Sequence, residues 1–309
     1  AEVLKVEDET PQDLIKKYNK IIASDGYNTT FHNRVAGTRF MSYYANDKGR
    51  FDSISLTLKH SDSTFVKQYK RILKVDTTSI KNDSIKKDSL KVAEVKKVKL
   101  TKAERKANKL KYKAQRKYNR SHGYIASRNE YTRNLNFVGK DSSVALLKIR
   151  GFSNGNYKDF YEESFKTLDS LQTEVLIIDL RNNFGGRLNE ITDLYSYLTD
   201  ENYTMINQSE VNTRFPLLKS VMSNTTPNAV KAFAGLMSPV LFTIDLFKTQ
   251  KKGDTLYYKF KSAKEQEPKS LNFKGKIYVL INGNSFSASS ILSTKLQGDN
   301  RATFVGEET

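Results

Sequence analysis

Two apolar runs constrain this chain most. EVLIIDL (174–180) and KIYVLIN (276–282) are almost continuously hydrophobic over strand length. A strand with one wet face alternates apolar and polar residues, so a continuous run predicts a strand covered on both faces. Each run ends in a polar loop, and each loop leads into a segment with helical apolar spacing. Leu188, Ile191, Leu194 and Leu198 follow the first; Ala288, Ile291, Leu292 and Leu296 follow the second. VALLKI (144–149), a helix over 159–171 and ATFVG (302–306) extend the pattern. Strand and helix alternate from Ser143 onward, which gives an α/β class with a sheet buried by helices. LFTIDLF (241–247) and TLYYKF (255–260) are expected as an antiparallel pair around Lys251-Lys252-Gly253.

The first 75 residues read differently. EVLKV (2–6) suggests a short strand. Thr10-Pro11-Gln12-Asp13 predicts a helix start, with Thr10 as cap and Pro11 in the first turn. Leu14, Ile15, Tyr18, Ile21 and Ile22 would form its buried face. FDSISLTL (51–58) alternates as a half-buried strand does.

The net charge is +18, and most of it is local. Residues 81–120 hold 16 Lys and Arg against 4 Asp and Glu. Within 77–101, Ile80, Ile85, Leu90, Val95 and Leu100 recur every fifth residue. Such a step places successive side chains ~140° apart on a helix and on alternate faces of a strand, so neither gathers them into one stripe. This stretch reads as a solvated linker. Residues 102–118 carry Ala103, Ala107, Leu110 and Ala114 at helical spacing among cations, which predicts a basic helix. The plain reading of residues 76–120 is a solvated insertion; contact with an anionic polymer or membrane is the alternative that its charge offers. Nucleic acid is set aside, because aromatics are few there and no RNA- or DNA-binding motif appears.

Other classes fall away. There are no cysteines, hence no disulfide, thiolate metal site or cysteine nucleophile. Only His32, His60 and His122 are present. No HExxH, GxxxxGK[ST] or GxGxxG pattern occurs. No apolar run reaches the ~18 residues of a membrane-spanning helix, and residues 1–20 lack the pattern of a signal peptide.

Two loops carry candidate chemistry. In DLRNNFGG (179–186), adjacent glycines let the backbone approach a ligand and aim N–H groups at it. Amides so placed stabilise an oxyanion, and loss of one such donor costs ~2.7–4 kcal/mol where studied. The plainer reading is a strand-to-helix turn in which Arg181 pairs with an acid. In INGNSFSASS (281–290), a serine at the strand–helix junction sits beside the first unbonded N–H groups of a helix, which suits a nucleophile. It also suits an ordinary N-cap.

Taken together, VLIIDLRNNFGG (175–186), KIYVLINGNSFSASSILSTKLQ (276–297) and RATFVGEET (301–309) resemble the S41 serine peptidases. That family includes the C-terminal processing (tail-specific) proteases and the tricorn-like enzymes. The resemblance covers about residues 143–309, through a strand-DLRxNxGG block, a strand-loop-SAS-helix block and a GExT block. It implies Ser287 as nucleophile, with Ser285 and Ser289 as alternatives, and an oxyanion hole from the N–H groups of Gly185, Gly186 and Ala288. It implies a crotonase/ClpP-like α/β core over 126–309, truncated at its C-terminal end. A small α+β region over 1–75, a PDZ-like remnant, and a Lys-rich insertion over 76–125 complete the expected organisation. The implied reaction is endopeptidase cleavage of a polypeptide through an acyl-enzyme, with no metal or organic cofactor, in an extracytoplasmic setting such as the periplasm or cell envelope.

The departures from the family matter. Processing proteases take their general base from a lysine just past the GExT block, and tricorn-like members from a histidine in a GDGHT-type motif. His32, His60 and His122 lack that setting. The expectation is a fragment whose base lies upstream of Ala1 or downstream of Thr309. Ser290 stands where many members have glutamate, and Gly298 where processing proteases have aspartate. These departures motivate an alternative: a catalytically inactive relative that binds peptides or apolar ligands.

Overall fold

The computed structural model describes residues 1–24, 26, 28–49, 51–71 and 101–307. The five-residue repeat lies outside them, apart from Thr101. The chain divides into two compact units, Ala1–Tyr118 and Asn119–Thr309.

In the first unit, β1 (Glu2–Val6), α1 (Pro11–Asn19), α2 (Thr29–Lys48), β2 (Ser53–His60) and β3 (Ser63–Lys70) follow in order. The strands form an antiparallel sheet, β1-β2-β3. Thr10 caps α1 by accepting from the Asp13 N–H at 3.2 Å, as its sequence predicts. Leu14, Tyr18 and Ile22 are buried as expected, but Ile21 is exposed. Leu14 and Tyr18 pack with Val6, Tyr44 and Ile54. The basic helix α3 (Lys102–His122) begins with a reciprocal cap: Thr101 N–H donates to Glu104 Oε2 at 2.7 Å, and Glu104 N–H to Thr101 Oγ1 at 3.2 Å.

The second unit is mixed α/β. After the short pair β4 (Tyr124–Ile125) and β5 (Glu130–Tyr131) come β6 (Arg133–Val138), β7 (Val144–Ile149), α4 (Tyr157–Ser170), β8 (Val175–Asp179) and α5 (Leu188–Tyr195). A small subassembly follows: β9 (Ser209–Val211), α6 (Pro216–Val221), α7 (Asn228–Leu236), α8 (Ser238–Lys248), β10 (Thr249–Lys252) and β11 (Thr255–Tyr258). The chain then returns through β12 (Lys276–Ile281), α9 (Ala288–Gly298) and β13 (Thr303–Gly306).

The main sheet has the order β13-β12-β8-β7-β6. All its pairings are parallel except β6 with β7. The two apolar runs are therefore adjacent strands, with Leu176 opposite Ile277 and Ile178 opposite Val279. Their side chains join those of α4, α5 and α9 in one core, including Leu147, Ile178, Phe160, Leu194 and Leu292. Parallel neighbours end on the same edge, so the loops after β7, β8, β12 and β13 meet there.

One expectation fails. Residues 241–247 are not a strand but lie within α8. Their apolar run is ambiguous by periodicity, and Pro239 in the first turn favours a helix. The hairpin is instead β10 with β11, Thr249 opposite Tyr258.

Ile178 is fully buried in the central strand. Ile178→Ala is expected to cost about 2–5 kcal/mol of stability, read from the shift in the urea unfolding midpoint of the second unit.

Candidate active site

The site is built by joining two loops that are a hundred residues apart in sequence. The Leu180 N–H donates to Leu280 O at 2.9 Å, carrying the β8–β12 register one residue past the strand. Asn182 N–H donates to Asn282 Oδ1 at 3.0 Å, and Asn282 Nδ2 donates back to Asn182 Oδ1 at 3.2 Å. Ser285 Oγ donates to Leu180 O at 2.9 Å and accepts from Asn282 N–H at 3.0 Å. Phe286 N–H donates to Asn183 O at 2.9 Å.

Asn183, the asparagine of the DLRxNxGG pattern, has no exposed surface. Its Nδ2 donates to Ile149 O at the end of β7, and its Oδ1 accepts from Gly185 N–H, both at 2.9 Å. The segment after β7 then runs beside the glycines. Phe152 N–H donates to Gly185 O, and Arg187 N–H donates to Phe152 O, both at 2.8 Å.

The glycines are required sterically. A Cβ on Gly185 would lie 2.7 Å from Ala288 N and 2.9 Å from Ser287 Cβ; one on Gly186 would lie 2.4 Å from the Phe152 carbonyl carbon. Both have positive φ, +86° and +146°. The twin-glycine bend therefore lies directly against Ser287.

Ser287 precedes α9 with φ 57° and ψ −117°, a region sparsely populated by non-glycine residues. Its hydroxyl makes no cap hydrogen bond to the helix, so the ordinary N-cap reading fails in geometry. Its side chain is exposed. Ser285 and Ser289 are fully buried, and Ser290 nearly so, donating to Ser285 O. Of these four serines, Ser287 is the exposed one.

The neighbouring amides are not equivalent. Gly185 N–H is engaged by Asn183 Oδ1. Among the described residues, no acceptor meets the N–H of Gly186 or of Ala288, the first residue of α9. Gly306 and Glu307, from the GExT block, close the same edge: Glu307 Oε2 accepts from Gly283 N–H at 3.2 Å.

The ion pair expected on the plainer reading is also present. Arg181 Nε and a terminal guanidinium nitrogen each lie 2.9 Å from the buried Asp179 carboxylate. Burial pushes this carboxyl up, but hydrogen bonds from the Arg181 side chain and amide outweigh that and hold it below its usual range. The pair stiffens the loop base. It coexists with the glycine cradle rather than replacing it.

Each histidine has neighbours within its own unit. His122, in the second unit, has Nδ1 3.0 Å from Ser121 Oγ and packs edge-on against Phe160. In the first unit, His32 Nε2 lies 3.0 Å from Ser24 Oγ, and His60 ends β2 opposite Ser63.

The description "Peptidase family S41" matches residues 143–309, more than half of the chain and all three motif blocks. The chain belongs to peptidase family S41. Membership supports a peptidase role. No curated protein matches the sequence of this S41 chain. Among solved structures, mature CPAF complexed with lactacystin is similar at a TM-score of 0.52 and 16% identity, over 98% of this chain and 63% of that one. Mature CPAF is similar at 0.51 and 16%, over 98% and 62%. At such identity the likeness is one of fold. The S41 chain spans less than two thirds of the length of either CPAF chain.

The sequence did not single out Asn182, Asn282 or Phe152, nor Asn284, whose Nδ2 donates to Asn182 Oδ1 at 2.9 Å. The available signal was the asparagine density of the two loops, since side-chain amides both donate and accept and can join two strand ends.

Ser287→Gly separates the strained junction from an ordinary cap. A cap serine loses a few tenths of a kcal/mol on replacement by glycine. Here relief of the backbone is expected to raise stability by about 1 kcal/mol, measured as an increased unfolding midpoint.

Proposed function

We propose that this chain carries the catalytic serine of an S41 serine endopeptidase. The observation that carries the reading is Ser287: exposed, uncapped, held at positive φ and set against the twin-glycine bend. In this reading Ser287 Oγ attacks the scissile carbonyl carbon while a general base takes its proton. The tetrahedral oxyanion accepts from the N–H groups of Gly186 and Ala288. Gly185 N–H joins them only if Asn183 Oδ1 releases it. Collapse of the intermediate breaks the C–N bond, and the amine leaves with the proton. Water then hydrolyses the acyl ester and restores the serine.

Junction strain suits this role. A residue held where its backbone is unfavourable is spent on position rather than on stability, the pattern of functional sites. Phe184, exposed between Asn183 and the glycines, offers an apolar contact for the substrate chain. The crotonase-like description of the core and an extracytoplasmic setting belong to this proposal and rest on the family resemblance. So does a general base contributed by the full-length protein.

The engaged Gly185 amide favours one second reading, a relative that holds a peptide without turnover. A fluorophosphonate probe on the full-length protein separates the two. The expected result is one covalent adduct at Ser287, found by peptide mass mapping and absent in Ser287→Ala, with peptide hydrolysis falling by at least about 10³-fold in that variant. Tight peptide binding without adduct or hydrolysis establishes the second reading.

A further inference from the structure

Helices α7 and α8 invert the usual burial rule. Of the eleven residues of α8, Asp245 is the buried one. In α7 it is Ala234 alone. Val230, Phe233, Leu236, Val240, Phe242 and Phe247 are all exposed; Phe233 is 64%, Leu236 79% and Phe247 78% accessible. Soluble chains rarely present so many large apolar side chains side by side unless something covers them.

The orientation of α8 is fixed rather than slack. The Asp245 carboxylate accepts from Leu217 N–H at 3.2 Å and from Leu218 N–H at 3.0 Å, at the start of α6. This anchors α8 through its polar residue and turns its apolar side chains outward. The two helices are consecutive, with a 77° bend between them. Among the described residues, no single helix is long and apolar enough to cross a membrane.

Charge identifies what covers the face. Residues 209–260 hold seven Lys and Arg (Arg214, Lys219, Lys231, Lys248, Lys251, Lys252 and Lys259) against Glu210, Asp245 and Asp254. Asp245 is withdrawn into the interior. The adjoining hairpin adds aromatic–cation pairs, Lys248 Nζ 5.8 Å from the Tyr258 ring centre and Lys252 Nζ 5.9 Å from that of Tyr257. A second copy of the chain would bring the same excess of positive charge against itself. An anionic lipid surface satisfies both the apolar side chains and their cations, and tyrosine beside lysine suits a headgroup layer.

We propose that α7 and α8 dock this chain on the surface of an anionic lipid bilayer, with Phe233, Leu236 and Phe247 in the acyl boundary and Lys248, Lys251 and Lys252 among the headgroups. The contact is peripheral and does not depend on the hydrolytic reading, since none of these residues belongs to the Ser287 site.

The chain has no tryptophan, so Phe247→Trp supplies a silent background for the test. The Phe247→Trp variant of this 309-residue chain is mixed with vesicles of phosphatidylcholine, either pure or containing about a third phosphatidylglycerol. The expected result is a blue shift of about 10 nm and quenching by bromine-labelled acyl chains, on the anionic vesicles only. Tyr69→Trp, on exposed β3 of the first unit, is expected to stay unshifted. Phe233→Ser with Leu236→Ser, and separately Lys248, Lys251 and Lys252 to Gln, should each lower vesicle affinity at least about 10-fold. Absence of a shift with either vesicle overturns the proposal, as does an equal shift on neutral vesicles. A lipid-free shift that grows with protein concentration assigns the face to a second copy and overturns it too.

Discussion

Asn183 ties three strand ends together. Its side-chain amide reaches the last carbonyl of β7, its side-chain oxygen holds the Gly185 amide, and its own carbonyl receives the Phe286 amide one residue before Ser287. A buried amide with both ends satisfied is strongly directional, and leaving either end unpaired costs about 1–3 kcal/mol. The loops after β7, β8 and β12 are thus fixed relative to one another through one residue. That arrangement depends in turn on sheet order, because only adjacent parallel strands deliver their ends to one edge. The core below the site holds β8 against β12, and the site above it is a consequence of that register.

Within this frame the choice among four serines becomes a matter of burial and backbone. Ser285 is consumed in joining its loop to the end of β8, Ser289 is buried, and Ser290 hydrogen-bonds back to Ser285. Ser287 alone is exposed, and its positive φ turns it out of the regular helix start. The sequence could show the junction and the small residues around it. It could not separate cap from nucleophile, because both occupy the residue before the helix. The distinction lies in a dihedral angle and in the close approach of a glycine that is distant in sequence.

Elements with a clear local pattern were legible: both continuous apolar runs, α4, the basic helix α3 and the N-cap of α1. Those missed lack such a pattern. The apolar residues of α2 do not form a single stripe, and Gly37 interrupts it. In α8 a seven-residue apolar run was compatible with either regular structure, and the deciding contact, Asp245 on the start of α6, is tertiary. Arg133 was equally hidden. It is fully buried in β6, donates to the carbonyls of Arg120, Ser121 and Asn154, and stacks 3.9 Å from the Tyr157 ring centre. It thereby caps the end of α3, and Gly123 and Gly155 leave room for it: a Cβ at either would lie under 3 Å from its guanidinium. No local pattern announces an arginine that serves as a helix cap from a different strand.

The account rests on a hydroxyl aimed at a peptide carbonyl while main-chain amides receive the oxygen. The most direct measurement is a crystal structure of the full-length protein soaked with a peptidyl boronic acid, which forms a tetrahedral adduct with an active serine. The account predicts continuous density from Ser287 Oγ to boron, with one boronate oxygen about 2.7–3.1 Å from the N–H groups of Gly186 and Ala288. Boronate bound at another hydroxyl, or an adduct on Ser287 whose oxygens face away from both amides, would contradict it.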